Sequence, residues 1–228
     1  KLYDVYKKSN YFTNILSFTN EKGLISDSVL RGEISRQDRL IDSLGPAPER
    51  YFRRGVGSWQ SGRYEQALED FSRTLQSDTG FIAAWFSRAG ARYELIQQIN
   101  AREEDYQQEI ILGKPLPKPL NPALSDTLVH TYDAVINDLD RAIALDPAFS
   151  LAWYNRGYVN SKMGNYRAAI DDFSQAIALR AELAEALYNR GLMYILLLEN
   201  HQGCLDLSRA GELGITDAYR VMKRYCYK

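Results

Sequence analysis

Few side chains in this sequence of 228 residues are of types and spacings that could do chemistry. The two histidines, His130 and His201, stand in unrelated parts of the chain, and a packed or helix-surface role is favoured over that of a base. The acidic run lacks the spacing of a calcium loop, which favours a solvated helix face. That run comprises Glu103, Glu104, Asp105 and Glu109.

Motifs for phosphate, metal or thiol chemistry are also missing. Neither GxxxxGK[ST] nor GxGxxG occurs, and the glycines of RRGVGSWQSGR fit a helical repeat, not a strand-to-helix turn. Cys204 and Cys226 are too few and too far apart for a disulfide framework or a CxxC metal site, so we expect two buried apolar groups. We therefore predict that the chain is not an enzyme and binds no cofactor or metal. An enzyme subunit with its catalytic domain upstream is the alternative.

Composition excludes two further classes of partner. The net charge of −1 gives no general attraction to nucleic acid or to an acidic membrane. No apolar run reaches the roughly 18 residues that a spanning helix needs. The sequence begins at Lys1 without methionine, so we expect that a tag, a signal peptide or an upstream region was removed.

The elements that position the remaining side chains follow a period of 34 residues. Units begin at residues 48, 82, 116, 150 and 184, and positions within a unit are given as offsets, with offset 1 at its first residue. The sequence YNRG recurs at the same offset in the last two units. The residue at offset 8 is small in each unit that has a first helix, which lets two antiparallel helices approach closely. Tyr recurs at offset 17, and a bulky residue recurs at offset 24. The small residues are Gly55, Ala89, Gly157 and Gly191.

This pattern resembles the tetratricopeptide repeat (TPR) over residues 48–217. The resemblance implies an all-α fold, a right-handed superhelix of antiparallel helix pairs. The expected repeats are 48–81, 82–149, 150–183 and 184–217, followed by a capping helix over 218–228. Residues 207–226 also resemble the closing segment of bacterial TPR proteins, many of them from Gram-negative envelopes. That second resemblance favours a periplasmic or envelope location over the cytoplasm.

Two segments depart from the period. Residues 1–47 are expected to cap the first repeat, with a helix at GEISRQDRLIDSL and no clear structure before Gly23. Repeat two carries an insertion at about residues 97–128, predicted as an extension of its first helix to about Ile110 and then a proline-rich arm. That arm is either a spacer or a weak PxxP ligand.

A second regularity places charge inside the repeat. Arginine stands at offset 7 and aspartate at offset 23, which predicts ion pairs within a unit or between neighbours. A row of cations for an acidic ligand is the alternative. The arginines are Arg54, Arg88, Arg156 and Arg190, and the aspartates are Asp70, Asp138, Asp172 and Asp206.

The resemblance also implies a binding groove, because TPR proteins line their concave face with offsets 2, 5, 6, 9, 12 and 13. Aromatic residues at such positions suit recognition. The alternative is that the insertion or the N-terminal segment covers them. The candidate residues are Phe52, Arg53, Trp59, Phe86, Tyr93, Tyr154, Asn155, Tyr158, Lys162, Tyr188, Asn189 and Leu192.

We therefore predict a non-catalytic module that binds an extended protein segment or peptide in this groove. Offsets 5 and 9 lack the Lys, Arg or Asn that grips a carboxylate in some TPR domains, which disfavours binding of a chaperone tail. A scaffold that oligomerises or docks through its ends or its insertion is the alternative function. Size-exclusion with light scattering separates a monomer from such an assembly.

Overall fold

The computed structural model describes residues 27–111 and 131–227, and those residues form helices without a β-strand. The fold is an all-α helical repeat, as predicted. The helices are α1 (Asp27–Leu44), α2 (Pro48–Gln60), α3 (Tyr64–Ser77), α4 (Ile82–Ile111), α5 (Tyr132–Leu145), α6 (Ser150–Lys162), α7 (Tyr166–Leu179), α8 (Ala184–Leu196), α9 (Asn200–Glu212) and α10 (Asp217–Tyr225).

The chain divides into two compact units at Arg141, within α5. In the N-terminal unit, described over 27–111 and 131–141, α1 packs on α2, α2 on α3 and α3 on α4. Its core joins Trp59, Phe71 and Leu95, so that one apolar cluster links α2, α3 and α4. Pro48 begins α2 at a position where its missing N–H costs nothing.

In the C-terminal unit, described over residues 142–227, each helix from α6 to α10 packs on the next. The pairs α6–α7 and α8–α9 are the helix pairs of repeats three and four. The small residues do what the sequence predicts: a Cβ built on Gly157 would lie 3.0 Å from Asp172 Cβ and from two ring atoms of Phe173. Helix α6 therefore approaches α7 as closely as a glycine permits.

The turn between the paired helices of repeats one, three and four has a left-handed backbone at offset 15. Gly62 and Gly164 supply it with φ of 72° and 83°. In repeat four the same offset is Leu198, which adopts φ 64° with its side chain 84% exposed. A residue with a Cβ is strained in this region, so repeat four ends its first helix at a cost that the other two repeats avoid.

Two predicted boundaries differ from the structure. Helix α1 begins at Asp27, earlier than the expected helix over 32–44. The extended first helix of repeat two is confirmed, and it ends at Ile111. The proline-rich arm and residues 1–26 lie outside the described residues, so the predictions made for them stay predictions.

Candidate functional site

All four predicted ion pairs are present. Each arginine at offset 7 donates to the aspartate at offset 23 of its own repeat, and each carboxylate is buried or nearly so. The closest N–O distances are 2.6 Å for Arg54–Asp70, 2.7 Å for Arg88–Asp138, 2.6 Å for Arg156–Asp172 and 2.7 Å for Arg190–Asp206. The hydrogen bond to Asp70 is the largest cause that raises the pKa of Arg54, so its charge is secure.

The arginines also reach the helix that precedes their own repeat. Arg88 Nη1 donates to Ser72 Oγ at 3.2 Å, and Arg190 Nη1 donates to Ser174 Oγ at 3.0 Å. Arg54 uses the same nitrogen to bind Asp38 of α1 at 2.8 Å. The sequence left open whether the pairs join helices within a repeat or between neighbours. The structure shows that one guanidinium can do both.

Offset 11 supplies a further donor that the sequence analysis missed. Asn160 Nδ2 donates to Asp172 at 3.0 Å, and Arg92 Nη1 donates to Asp138 at 2.6 Å. Asp138 thus receives two arginines, and burial lowers the pKa of Arg92. Because the repeat arginines are engaged with buried carboxylates, the geometry favours a structural role over a row of cations for a ligand.

In the N-terminal unit the predicted groove residues belong largely to the apolar interior. The Phe52 ring lies 4.9 Å from Phe81 and 5.7 Å from Phe71, centroid to centroid. Trp59 meets Phe71 edge-on at 6.3 Å and is 5% exposed. The others in this unit are buried Phe86, buried Tyr93 and exposed Arg53.

In the C-terminal unit the structure brings four predicted groove residues together on α6 and α8. Tyr154 lies 6.5 Å from Tyr158, and its hydroxyl accepts a hydrogen bond from Asn189 Nδ2 at 3.1 Å. Lys162 Nζ stands 5.0 Å from the centroid of the Tyr158 ring, a cation–π distance. Two first helices of successive repeats thus share one tyrosine, amide and ammonium face, here called the α6–α8 face.

This face is closed in the structure. Tyr154 and Tyr188 are 0% exposed and Tyr158 is 1% exposed, and Asn155, Asn189 and Leu192 are also fully buried. Lys162 is half-buried. Any partner that contacts these tyrosines must therefore do so after neighbouring parts of the protein move, and the binding role of the stripe stays a prediction.

The expectation for the two cysteines is wrong, because Cys204 and Cys226 form a disulfide. Their sequence separation of 22 is spanned by the hairpin of α9 and α10, which leaves the two Cα atoms 5.8 Å apart. Both residues are half-buried, whereas the sequence analysis expected them to be buried. The signal that was missed is structural, since only the return of α10 onto α9 makes such distant positions neighbours.

The other chemistry-bearing residues are not gathered into a site that the structure describes. His201 is exposed on α9, while His130 lies outside the described residues. The acidic run falls in the part of α4 whose side chains are not described. Over residues 27–111 and 131–227, no three His, Cys, Asp or Glu side chains are placed to share a metal ion. Among the helices described, none combines the length and apolar character needed to cross a membrane.

The family model described as "Tetratricopeptide repeat" matches residues 150–182, which form repeat three with its helices α6 and α7. Residues 150–182 are therefore a tetratricopeptide repeat, as the 34-residue pattern predicts. TPR domains serve as protein-interaction modules, so a protein partner is the class of ligand that this assignment supports. No curated protein matches the chain.

Solved TPR structures share the fold at low sequence identity. A crystal structure of MamA is 19% identical, with a TM-score of 0.63 over 84% of this chain and 92% of that chain. MamA from Desulfovibrio magneticus RS-1 is 14% identical, with a TM-score of 0.60 over 82% and 94%. The thermophilic TPR protein TTC0263 of Thermus thermophilus is 15% identical, with a TM-score of 0.55 over 87% and 90%. Identities this low carry the fold alone.

Proposed function

We propose that this TPR protein is a non-catalytic module that binds an extended, mainly apolar segment of a partner protein along the α6–α8 face. The contact between Asn189 and Tyr154 carries the proposal, because it places polar and aromatic groups of two repeats on one surface. A peptide needs such a combination, with ring faces for its side chains and amide groups for its backbone.

The polar groups of the face support a backbone-binding role. Asn189 Nδ2 is used by the Tyr154 hydroxyl, whereas no donor among the described residues lies within hydrogen-bond distance of the buried Asn189 Oδ1. A buried acceptor that lacks a donor costs about 1–3 kcal/mol. A peptide N–H placed against this oxygen would recover that free energy, so the site gains from an extended ligand.

Burial of the tyrosines makes opening part of the binding event. Because Tyr154, Tyr158 and Tyr188 are buried, the free protein must expose them before a partner can contact them. The free energy of that step lowers the apparent affinity in proportion to the population of the open form. We therefore expect modest affinity and a slow association rate compared with a preformed groove.

The test begins by selecting binders from a random library of peptides of about 12 residues, long enough to extend over two repeats. Replacing both Tyr154 and Tyr158 by alanine should weaken a selected peptide by about 2 kcal/mol or more, since central aromatics dominate binding. Lys162→Ala should mainly change the association rate and its salt dependence. Arg141→Ala, at an exposed cation of α5 outside this face, is the control and should leave the affinity unchanged.

The melting temperature of each variant shows whether it is still folded. If the double tyrosine variant does not fold, the comparison of Lys162→Ala with Arg141→Ala still decides the question. Equal binding by these two variants and the parent, at low and high salt, would rule out the α6–α8 face as the site.

An assembly scaffold that docks through its ends or its insertion is the second candidate function. The burial of the tyrosine face favours it, because a closed face offers a partner little apolar surface. Size-exclusion with light scattering distinguishes the candidates. A concentration-dependent oligomer that persists when the α6–α8 face is mutated supports the scaffold.

The disulfide extends the proposal to the compartment in which the protein works. Disulfides form and persist in oxidising compartments such as the bacterial periplasm and are rare in the cytosol. The bond between Cys204 and Cys226 therefore supports a periplasmic or envelope location. Mass spectrometry of protein taken from its native cells under alkylating conditions tests this, and two alkylated thiols would contradict it.

A further inference from the structure

The 34-residue register continues past repeat four into α10. A fifth unit would begin at Ala218, and its offset 7 is Arg224. Arg224 follows Ser208 by 16 residues, as Arg190 follows Ser174 and Arg88 follows Ser72, and those two pairs are hydrogen-bonded. Helix α10 thus corresponds in sequence to the first helix of a further repeat, with the repeat arginine in its usual place.

Arg224 differs from the other repeat arginines in its electrostatic partners. In the described part of the chain, no carboxylate lies within salt-bridge distance of its guanidinium, which stands 5.5 Å from the Tyr225 ring centroid. The residue is exposed. The other four repeat arginines each hold a carboxylate at 2.6–2.7 Å.

Offset 8 of α10 is Tyr225, where repeats one to four have Gly or Ala. At Gly55 a Cβ alone would come within 2.8 Å of the Phe71 ring, so a tyrosine prevents a helix from packing there as α3 packs on α2. Helix α10 is instead held to α9 by the disulfide and by buried Ala218, Val221 and Met222. A helix that packed on its outer side would therefore contact it through side chains, without close backbone packing.

The outer side of α10 is basic and aromatic. We define the basic C-terminal face as the exposed Tyr219, Arg220, Lys223, Arg224 and Tyr227. Two carboxylates are close in sequence to the residues of this face. Asp217 is paired with Arg220, and Glu212 at the end of α9 accepts a hydrogen bond from Ser208 Oγ at 3.5 Å.

Helix α10 carries three cations, Arg220, Lys223 and Arg224, and one carboxylate, Asp217, which pairs with Arg220. The helix therefore has an excess of positive charge on a protein of net charge −1. Tyr219 and Tyr227 are 52% and 73% exposed, a large exposure for aromatic side chains. Exposed tyrosines and arginines in one patch are characteristic of recognition surfaces.

We propose that the basic C-terminal face binds an acidic segment of a partner protein, with a partner carboxylate taking on Arg224 the place that Asp172 has on Arg156. The charge of the face and the repeat register both indicate a carboxylate ligand. Arginine binds carboxylate in two parallel hydrogen bonds, while the tyrosine rings contact the aliphatic parts of Asp or Glu side chains. This surface is separate from the α6–α8 face, and neither proposal depends on the other.

The experiment measures the fluorescence anisotropy of a fluorescein-labelled deca-glutamate peptide in about 50 mM NaCl, where surface electrostatics is only partly screened. The full chain should bind the peptide, and Lys223→Glu with Arg224→Glu should weaken binding at least about tenfold. Arg141→Glu, at an exposed arginine of α5, is the matched control and should change the affinity less than about twofold. Melting temperatures within about 2 °C of the parent show that both variants fold.

Four outcomes would overturn the proposal. The first is that deca-glutamate does not bind, and the second is that Arg141→Glu weakens binding as much as the α10 variant does. The third is that vesicles with about one third phosphatidylglycerol bind through Lys223 and Arg224 while the peptide does not bind, which would assign the face to a membrane. The fourth is that light scattering shows a dimer that dissociates in the α10 variant, which would assign the face to a second copy of the chain.

Discussion

Arg156 and Arg224 occupy the same position of the repeat in two regions of the C-terminal unit. Arg156 lies between α6 and α7 and donates to Asp172, which is buried and also accepts a hydrogen bond from Asn160. Arg224 lies on α10, the last described helix, and is exposed. The helix that follows α6 supplies a carboxylate and excludes water, whereas the described part of the chain offers nothing equivalent beside α10.

The difference shows that offset 7 does not have one fixed role. A repeat arginine enclosed by its own second helix holds two helices together, and removing one partner leaves a buried charge. On α10 the corresponding residue, Arg224, is exposed in the described part of the chain, and such a surface cation contributes little to folding. The following predictions test this contrast, from the largest expected effect to the smallest.

Asp172→Ala should lower the free energy of unfolding by about 3–5 kcal/mol, because it leaves the Arg156 guanidinium without its carboxylate in a largely buried place. Arg224→Ala should change it by less than about 0.5 kcal/mol. Urea unfolding followed by circular dichroism measures both. Similar losses for the two variants would mean that the two arginines do not differ as the structure indicates.

Replacing Cys204 and Cys226 together by serine should lower the free energy of unfolding by about 3 kcal/mol, as expected for opening a loop of this length. The effect belongs to the C-terminal end alone, since the sequence has no other cysteine. Denaturation of the parent with and without reductant is the control. A double variant as stable as the oxidised parent would show that packing alone holds α10 on α9.

Gly157→Leu should destabilise by about 1–3 kcal/mol or more, because the added Cβ alone meets Asp172 and Phe173 at 3.0 Å. Gly32→Leu on α1 is the matched control: its Cβ would meet nothing within 4 Å, and leucine favours a helix over glycine. An unchanged melting temperature for Gly157→Leu would mean that α6 and α7 pack less closely than described.

Leu198→Gly should stabilise the protein by about 1 kcal/mol, because it relieves a left-handed backbone that repeats one and three assign to glycine. Gly164→Leu is the reverse change in repeat three and should destabilise. Both are measured by thermal unfolding. If Leu198→Gly lowers the melting temperature, the strain at this turn is smaller than the entropy that glycine adds to the unfolded chain.

Glu94 is a half-buried carboxyl for which no cation among the described residues lies within salt-bridge distance, unlike Asp172, and its partial burial raises its pKa above 4.5. Its charged form therefore destabilises the fold above the folded pKa, and that cost disappears as the pH falls through the folded value towards 4.5. Glu94→Gln should raise the melting temperature at neutral pH, with a difference that vanishes on acidification. A difference that persists at low pH would indicate a cause other than charge.

The periodicity predicted most of the fold because small offsets, turn glycines and paired charges repeat in sequence. It predicts that Arg156 pairs with a repeat aspartate and that two helices approach closely at Gly157, but it leaves open whether that aspartate belongs to the same repeat. It does not predict whether Tyr154 and Tyr188 are exposed or buried, because burial depends on what packs over a face and the family pattern describes only the repeat.

The disulfide and Arg224 were missed for related reasons. Cys204 and Cys226 are distant in sequence, and only the return of α10 brings them together. The 34-residue register places Arg224 at offset 7, whereas the resemblance to the repeat family implies only a capping helix over 218–228. In both cases the information lies after repeat four, in residues that keep only part of the repeat pattern.

The most direct test of this account measures two properties on the same two variants, Arg156→Ala and Arg224→Ala. We expect Arg156→Ala to lose about 3 kcal/mol of stability and, where still folded, to bind deca-glutamate like the parent. We expect Arg224→Ala to keep its stability and to lose most of its binding of deca-glutamate. The opposite pattern, or the loss of both properties in both variants, would contradict the separation of a structural arginine from a binding one.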